Sequence, residues 1–198
     1  MEPLSVGVHS VSTLAQLKTG QTIAVWGAGP VGLLCMAVAK ALGASRIIAV
    51  DINQARSDFA KSYAATDVFV PPASNPGEDK IEYSKRSADA LKKALGVEDR
   101  GPTAIDVVIE ASGAEVSIQT ALFVIKAGGT YVQVGQSTIL FLRLTCLLGW
   151  DGYCRSRGSH HDAIGEGTQR QGFLPIWSKH YFLHRRIRFD LHISSPAW

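Results

Sequence analysis

The chain has 198 residues, a formal net charge of +3 and an apolar fraction of 46%, which suits one domain with a sizeable core. A charge this small gives no strong field and does not indicate nucleic acid as a partner. Three cysteines without a CxxC pair exclude a disulfide framework, and the N-terminus lacks a secretory leader, so we expect a reduced, cytoplasmic setting without a membrane segment.

Predicted strands and helices alternate after a linking helix region in residues 1–20. Apolar runs such as TIAVW (22–26) suit strands that are buried on both faces. Such alternation predicts an α/β fold with a doubly wound parallel sheet of five or six strands. The predicted strands are 22–26, 46–51, 67–70, 104–111 and 128–135, and the predicted helices are 30–42, 53–65, 80–95 and 114–126.

Residues near the predicted helix ends support these bounds. Pro30 suits the first turn of a helix, where its missing N–H costs nothing. Asn53 is a good N-cap, and Gly96 follows the last residue of the third predicted helix.

The composition changes near Gly135. Residues 1–135 hold 12 Lys and Arg against 13 Asp and Glu, whereas residues 136–198 hold 8 against 4 together with five of the six histidines. This change predicts a domain of residues 21–135. Residues 136–198 are expected to form an atypical, irregular tail that is frame-shifted or partly disordered.

Three glycines lie between the first predicted strand and helix, in GAGPVG (27–32). In a strand–glycine turn–helix unit, Gly27 would permit the tight turn and Gly29 would let a pyrophosphate approach the backbone. Gly32 would allow close packing of helix on strand. The first helical N–H groups and the helix dipole then favour a bound anion.

An acid at the end of the second predicted strand adds to this pattern. Asp51 follows Gly32 by 19 residues, near the offset at which a carboxylate accepts hydrogen bonds from the adenosine ribose. A 2′-phosphate would meet a like charge there, so Asp51 favours NAD over NADP. Arg56 lies nearby and would flank the adenine or balance Asp51. The alternatives are a purely structural turn, an FAD site and a methyltransferase.

Several motifs occur together in one order: EPLSVGVHSV (2–11), GAGPVGLL (27–34), VDINQAR (50–56), VIEASG (108–113) and GGTYVQVG (128–135). They resemble the zinc-containing medium-chain alcohol dehydrogenases, in particular the sorbitol and xylitol dehydrogenase branch. The resemblance covers only the NAD-binding domain, a Rossmann fold. It implies hydride transfer between NAD and a sugar alcohol such as xylitol or sorbitol, or the corresponding ketose, in a family that oligomerises.

The resemblance also implies roles for individual residues. Nucleotide contacts would fall on Val31, Asp51 and Arg56, and contacts around the nicotinamide on Val134 and Gly135. Glu2 matches a glutamate at the family's zinc site. The cofactor-binding set predicted from pattern and resemblance together is Gly27, Gly29, Pro30, Val31, Gly32, Asp51, Arg56, Val134 and Gly135.

The sequence differs from the family at the zinc site. The histidine and cysteine that hold zinc in the family have no counterpart here, so at most a partial site at Glu2 is expected, and no catalytic residue is assigned. Two functions remain open. One is an oxidoreductase of the polyol dehydrogenase type, and the other is a catalytically inactive nucleotide-binding fragment or splice isoform that starts at an internal methionine.

Other patterns are weaker. Cys146, Cys154, His160 and His161 have a spacing that fits no common zinc site. The basic run HRRIRF (184–189) is more typical of a solvated face than of a nucleic-acid contact. Cys35 is expected in the core. Ser112, Tyr83 and Lys85 do not form the Tyr-x-x-x-Lys pattern of short-chain dehydrogenases.

Overall fold

The computed structural model describes residues 2–135 and 188–191. The chain begins with α1 (Glu2–Val8), which continues as a π-helical segment (His9–Leu14). The remaining elements, in chain order, are β1 (Thr22–Trp26), α2 (Pro30–Ala41), β2 (Arg46–Val50), α3 (Gln54–Tyr63), β3 (Asp67–Phe69), α4 (Lys80–Leu95), β4 (Ile105–Glu110), α5 (Glu115–Val124), β5 (Ile125–Gln133) and β6 (Arg188–Leu191).

The six strands form one parallel sheet in the order β3-β2-β1-β4-β5-β6. The chain builds outward from β1 to β3 and then returns to the other side of β1 for β4 and β5. This doubly wound arrangement is the predicted one, and it places the carboxyl ends of all six strands on one edge of the sheet.

Both faces of the sheet are buried. Alternate side chains of β1 enter two separate cores: Ile23 and Val25 pack with the α2 side, and Ala24 and Trp26 pack with the α4 and α5 side. All five residues of β1 are buried. The uniform apolar run at 22–26 is therefore explained by burial on both faces.

The predicted helix ends at Asn53 and Gly96 are confirmed. The Asn53 side chain accepts a hydrogen bond from the Arg56 N–H, as an N-cap does. Gly96 ends α4 in the left-handed conformation, at φ +62°.

The predicted boundary between α5 and β5 is wrong. The sequence predicts a helix to residue 126 and a strand over 128–135, but Ile125 already has extended backbone angles and pairs with Ile105. The register then shifts, so that Val107 pairs with Thr130. A Cβ at Gly129 would lie 2.9 Å from the Asp106 carbonyl oxygen, so this irregular stretch needs a residue without a side chain.

The tail lies mostly outside the described residues, and the domain boundary near Gly135 stays a prediction. Within the tail, Arg188–Leu191 forms β6 beside β5, with Thr130 opposite Arg188. One segment of the tail thus extends the sheet.

At the amino edge of the sheet, Asp106 in β4 joins the two neighbouring strands. Its Oδ2 accepts a 2.8 Å hydrogen bond from the Thr22 N–H in β1, and its Oδ1 pairs with the Lys126 ammonium in β5. The Asp106 side chain is 16% exposed and that of Lys126 is 33% exposed, so solvent screens this pair less than it screens a fully exposed one.

We expect Asp106→Asn to lower the free energy of unfolding by about 1–2 kcal/mol, because a partly buried charge-assisted contact is lost. The control is Asp99→Asn, which removes the partner of Lys92 at a side chain that is 48% exposed and should cost less than about 0.5 kcal/mol. Urea unfolding of both variants measures the difference. Equal losses would contradict this account of the amino edge.

Candidate nucleotide-binding site

The strand order creates a crevice at the carboxyl edge of the sheet. The chain leaves β1 toward β2 on one side and leaves β4 toward β5 on the other, so the loops that follow β1 and β4 diverge. In open parallel sheets, ligands bind at this topological switch point. The predicted residues after β1, β2 and β5 all lie along this edge.

Two glycines are required by the packing of the loop after β1. Gly27 has φ +93°, which favours glycine, and its N–H donates to the Val50 carbonyl oxygen at 2.8 Å. A Cβ on Gly32 would lie 1.8 Å from the Gly27 carbonyl oxygen. Helix α2 can therefore sit directly on the turn only because residue 32 has no side chain.

Gly29 differs from its two neighbours, because nothing in the fold requires it. Its backbone angles, φ −80° and ψ −177°, are open to any residue. A Cβ there would meet no heavy atom within 4 Å. It immediately precedes Pro30, the first residue of α2, and no side chain caps this helix end. The missing side chain leaves space directly over the N-terminus of α2, where an anion is favoured.

Asp51 lies at the end of β2 and is joined to the glycine loop. The residue as a whole is 8% exposed. Oδ2 accepts a 2.7 Å hydrogen bond from the Ala28 N–H, and Oδ1 accepts a 2.8 Å bond from the Asn53 N–H. Because a carboxylate has about four acceptor positions, these two bonds leave capacity for further donors.

The remaining predicted residues are distributed around the crevice. Val31 is half-buried in the first turn of α2, and Arg56 is exposed in the first turn of α3. Val134 packs partly against the α2-side core, and Gly135 follows it at the end of β5. Glu2 begins α1, and its side chain lies outside the described part of the chain.

The sequence analysis missed Glu110, the last residue of β4. Its side chain is fully buried. Oε1 accepts hydrogen bonds from the Ser112 N–H, the Ser112 hydroxyl and the Gly113 N–H, and Oε2 accepts from Gly113 and from Gln133 Nε2. Burial raises the pKa of Glu110 above its ordinary value, although these hydrogen bonds act to lower it. The available signal was an acid that directly follows three apolar residues of the strand, Val107, Val108 and Ile109.

Two side chains of β5 extend this network. Gln133 Nε2 donates to Glu110 Oε2 at 2.6 Å and to the Gly135 carbonyl oxygen at 2.7 Å, while its Oε1 accepts from the Tyr131 hydroxyl. Burial, with the Glu110 charge adding to it, raises the pKa of Tyr131 well above its ordinary value. Tyr131 therefore stays a hydrogen-bond donor in this network.

The weaker patterns do not add a second site in the described residues. Cys35 is buried in α2, and burial raises its thiol pKa to about 12, as expected of a core cysteine. The Tyr83 hydroxyl donates to the Pro72 carbonyl oxygen and the Ser112 hydroxyl to Glu110, so the two side chains have separate partners. The cysteine and histidine set at 146, 154, 160 and 161 lies outside the described residues, as does most of the basic run at 184–189.

The described residues contain neither a metal-binding group nor a membrane-spanning helix. Within residues 2–135 and 188–191, no group of three or more His, Cys, Asp and Glu side chains could hold a metal ion. No helix in that part of the chain is long and apolar enough to cross a membrane.

Comparison with known proteins identifies the family of the chain. Residues 30–145, more than half of the chain, match the family model described as zinc-binding dehydrogenase. D-xylulose reductase A of Aspergillus niger is 50% identical over 143 residues, covering 71% of this chain and 36% of that protein. The chain thus spans about a third of the length of this curated relative.

Two solved structures are also similar to this chain. L-idonate 5-dehydrogenase from Escherichia coli is 28% identical with a TM-score of 0.53, over 69% of this chain and 34% of that one. A Sinorhizobium meliloti protein solved bound to NADP is 26% identical with a TM-score of 0.54, over 68% and 35%.

The fold and the crevice define a Rossmann-type α/β protein, and the similar proteins place it in the class of zinc-dependent medium-chain dehydrogenases. The match of residues 30–145 to the family model shows that the chain belongs to the zinc-binding dehydrogenase family.

If a pyrophosphate lies over Gly29, as the sequence predicts, Gly29→Ala should weaken NADH binding at least about tenfold while costing about 1 kcal/mol or less of stability. The new methyl group would enter open space and meet only the ligand. Fluorescence titration with NADH and urea unfolding give the two quantities.

Gly32→Ala is the matched control. Its methyl group would clash with the Gly27 carbonyl oxygen, so it should destabilise the fold by about 3 kcal/mol. Unchanged NADH affinity in the Gly29→Ala variant would contradict the placement of the phosphate.

Proposed function

We propose that the described domain binds NAD(H) in the crevice between β1 and β4, as part of an oxidoreductase that acts on a sugar alcohol or the corresponding ketose. The observation that carries this proposal is Gly29. Its missing side chain serves no packing need of the fold, and the space it leaves lies over the N-terminus of α2. A dinucleotide pyrophosphate has the charge and size for that space.

Asp51 supports NAD in particular. Its oxygens accept two backbone N–H groups and keep further acceptor positions, which suit the two hydroxyls of an adenosine ribose. A 2′-phosphate there would add negative charge beside a carboxylate. Arg56, exposed five residues further on, is the cation available to offset such a phosphate. Because the similar Sinorhizobium meliloti protein was solved bound to NADP, the preference of this chain for NAD over NADP needs a direct test.

The substrate class comes from the relatives. One is described as a D-xylulose reductase and another as an L-idonate 5-dehydrogenase, so a polyol or the matching ketose is the substrate proposed here. Bound NAD would supply the hydride acceptor. The residues of this chain would hold the dinucleotide: Gly29 and Val31 at the pyrophosphate, Asp51 at the ribose, and Val134 and Gly135 beside the nicotinamide.

A second candidate function is nucleotide binding without turnover. It is favoured by the lack, within the described residues, of a group of His, Cys, Asp and Glu side chains that could hold a metal ion. Production of NADH from xylitol or sorbitol with NAD, with and without added zinc, separates the two candidates. Zinc-dependent turnover would establish the dehydrogenase, and NADH binding without turnover would establish the binding module.

The test of the cofactor is Asp51→Ala. We expect the wild-type chain to bind NADH more tightly than NADPH, and the variant to lose at least about tenfold in NADH affinity while losing less for NADPH. Asp58→Asn, a change at an exposed acid on α3, is the control for a general loss of negative charge and should leave both affinities unchanged. An Asp51→Ala variant that keeps the NADH affinity of the wild type would overturn the ribose assignment.

A further inference from the structure

The buried acids of the described residues lie at one edge of the sheet. Of the acidic residues that the structure describes, only Asp51 and Glu110 are classed as buried, and both stand at the carboxyl ends of their strands, β2 and β4. A buried acid costs stability relative to an apolar residue of similar size. Val107, Val108 and Ile109, which precede Glu110 in β4, are apolar and buried. Packing therefore does not account for an acid at the next position.

The hydrogen bonds of Glu110 join two loops. On one side its carboxylate holds the turn after β4, through the Ser112 and Gly113 N–H groups at 3.0 Å. On the other side Oε2 accepts from Gln133, whose amide also donates to the Gly135 carbonyl oxygen. The Glu110 carbonyl oxygen adds two 2.8 Å bonds from the Val134 and Gly135 N–H groups.

The two loops are in direct contact at a glycine. A Cβ on Gly135 would lie 2.4 Å from the Gly113 nitrogen and 2.8 Å from Glu110 Oε2. The loops after β4 and β5 therefore meet without side chains between them, and the Glu110 carboxylate lies beneath the point of contact. With four donors making five hydrogen bonds to its two oxygens, this carboxylate has little capacity left for a ligand.

We propose that Glu110 is a positioning residue, which holds the backbone of Ser112–Gly113 against Val134–Gly135 and so forms the surface on which the nicotinamide half of the dinucleotide rests. This inference depends on the proposed function. A doubly wound sheet has two mononucleotide halves, and Asp51 and the glycine loop occupy the adenosine half. Glu110 joins the loops of the other half, just as Asp51 joins the end of β2 to Ala28.

The experiment compares two ligands on the full chain by calorimetry. ADP-ribose carries the adenosine, the pyrophosphate and the second ribose, whereas NADH carries the nicotinamide as well. The Glu110→Gln substitution replaces one oxygen, which accepts hydrogen bonds, with an NH₂ group that would face the donor groups of Gln133 and Gly113. We expect NADH affinity to fall about tenfold and ADP-ribose affinity to stay within about twofold of the wild-type value.

Two further variants make the result specific. Asp106→Asn makes the same change of acid to amide on the same strand, at the opposite edge of the sheet, and should leave the ratio of the two affinities unchanged even where stability falls. Gln133→Leu removes the donor to Glu110 and Gly135, and should reproduce the selective loss of NADH affinity. If the Glu110→Gln variant does not fold, the two affinities of the Gln133→Leu variant test the positioning role instead.

Each remaining outcome counts against one claim or the other. If the wild type binds neither ligand, the proposed function fails. If the wild type binds NADH and ADP-ribose equally tightly, nucleotide binding stands and the positioning role is overturned. The same holds if the Glu110 and Gln133 variants lose affinity for both ligands equally, or for neither.

Discussion

One close approach of backbone to backbone sets the shape of the crevice. Because residue 32 carries no side chain, α2 begins directly on the turn that leaves β1, and the Gly27 carbonyl oxygen occupies the place of the missing Cβ. This contact brings the N-terminus of α2 to the carboxyl edge of the sheet. A side chain at position 32 would push the helix away, and the space over Gly29 would no longer lie beside the helix N-terminus.

The two buried carboxylates fix the loops on either side of that helix. Asp51 holds the glycine loop through the Ala28 N–H, and Glu110 holds the loops after β4 and β5 together. Each carboxylate is satisfied mainly by backbone N–H groups, which offset part of the cost of burying it. The two differ in spare capacity, because Asp51 can accept more hydrogen bonds and Glu110 is nearly saturated. In the proposed site, that difference would separate a group that contacts the ligand from one that orders the backbone around it.

Local sequence predicts the fold class because the relevant signals lie close together in the chain. The apolar run at 22–26, the glycines at 27–32 and the acid at 51 belong to one strand–helix–strand unit, and the structure brings Gly27, Ala28 and Asp51 together. Glu110 was missed because its side-chain partner in β5, Gln133, is 23 residues away and meets it only through the register of β4 and β5. The early start of β5 and its pairing with Arg188–Leu191 likewise depend on contacts between distant segments.

The most direct test of the central claim is a crystal structure of the full chain with NAD. The account predicts that the pyrophosphate lies over Gly29 at the N-terminus of α2, with the adenosine ribose hydroxyls on the Asp51 carboxylate and the nicotinamide against Gly113 and Gly135. A dinucleotide bound elsewhere, or one with its adenosine end over β4 and β5, would contradict it.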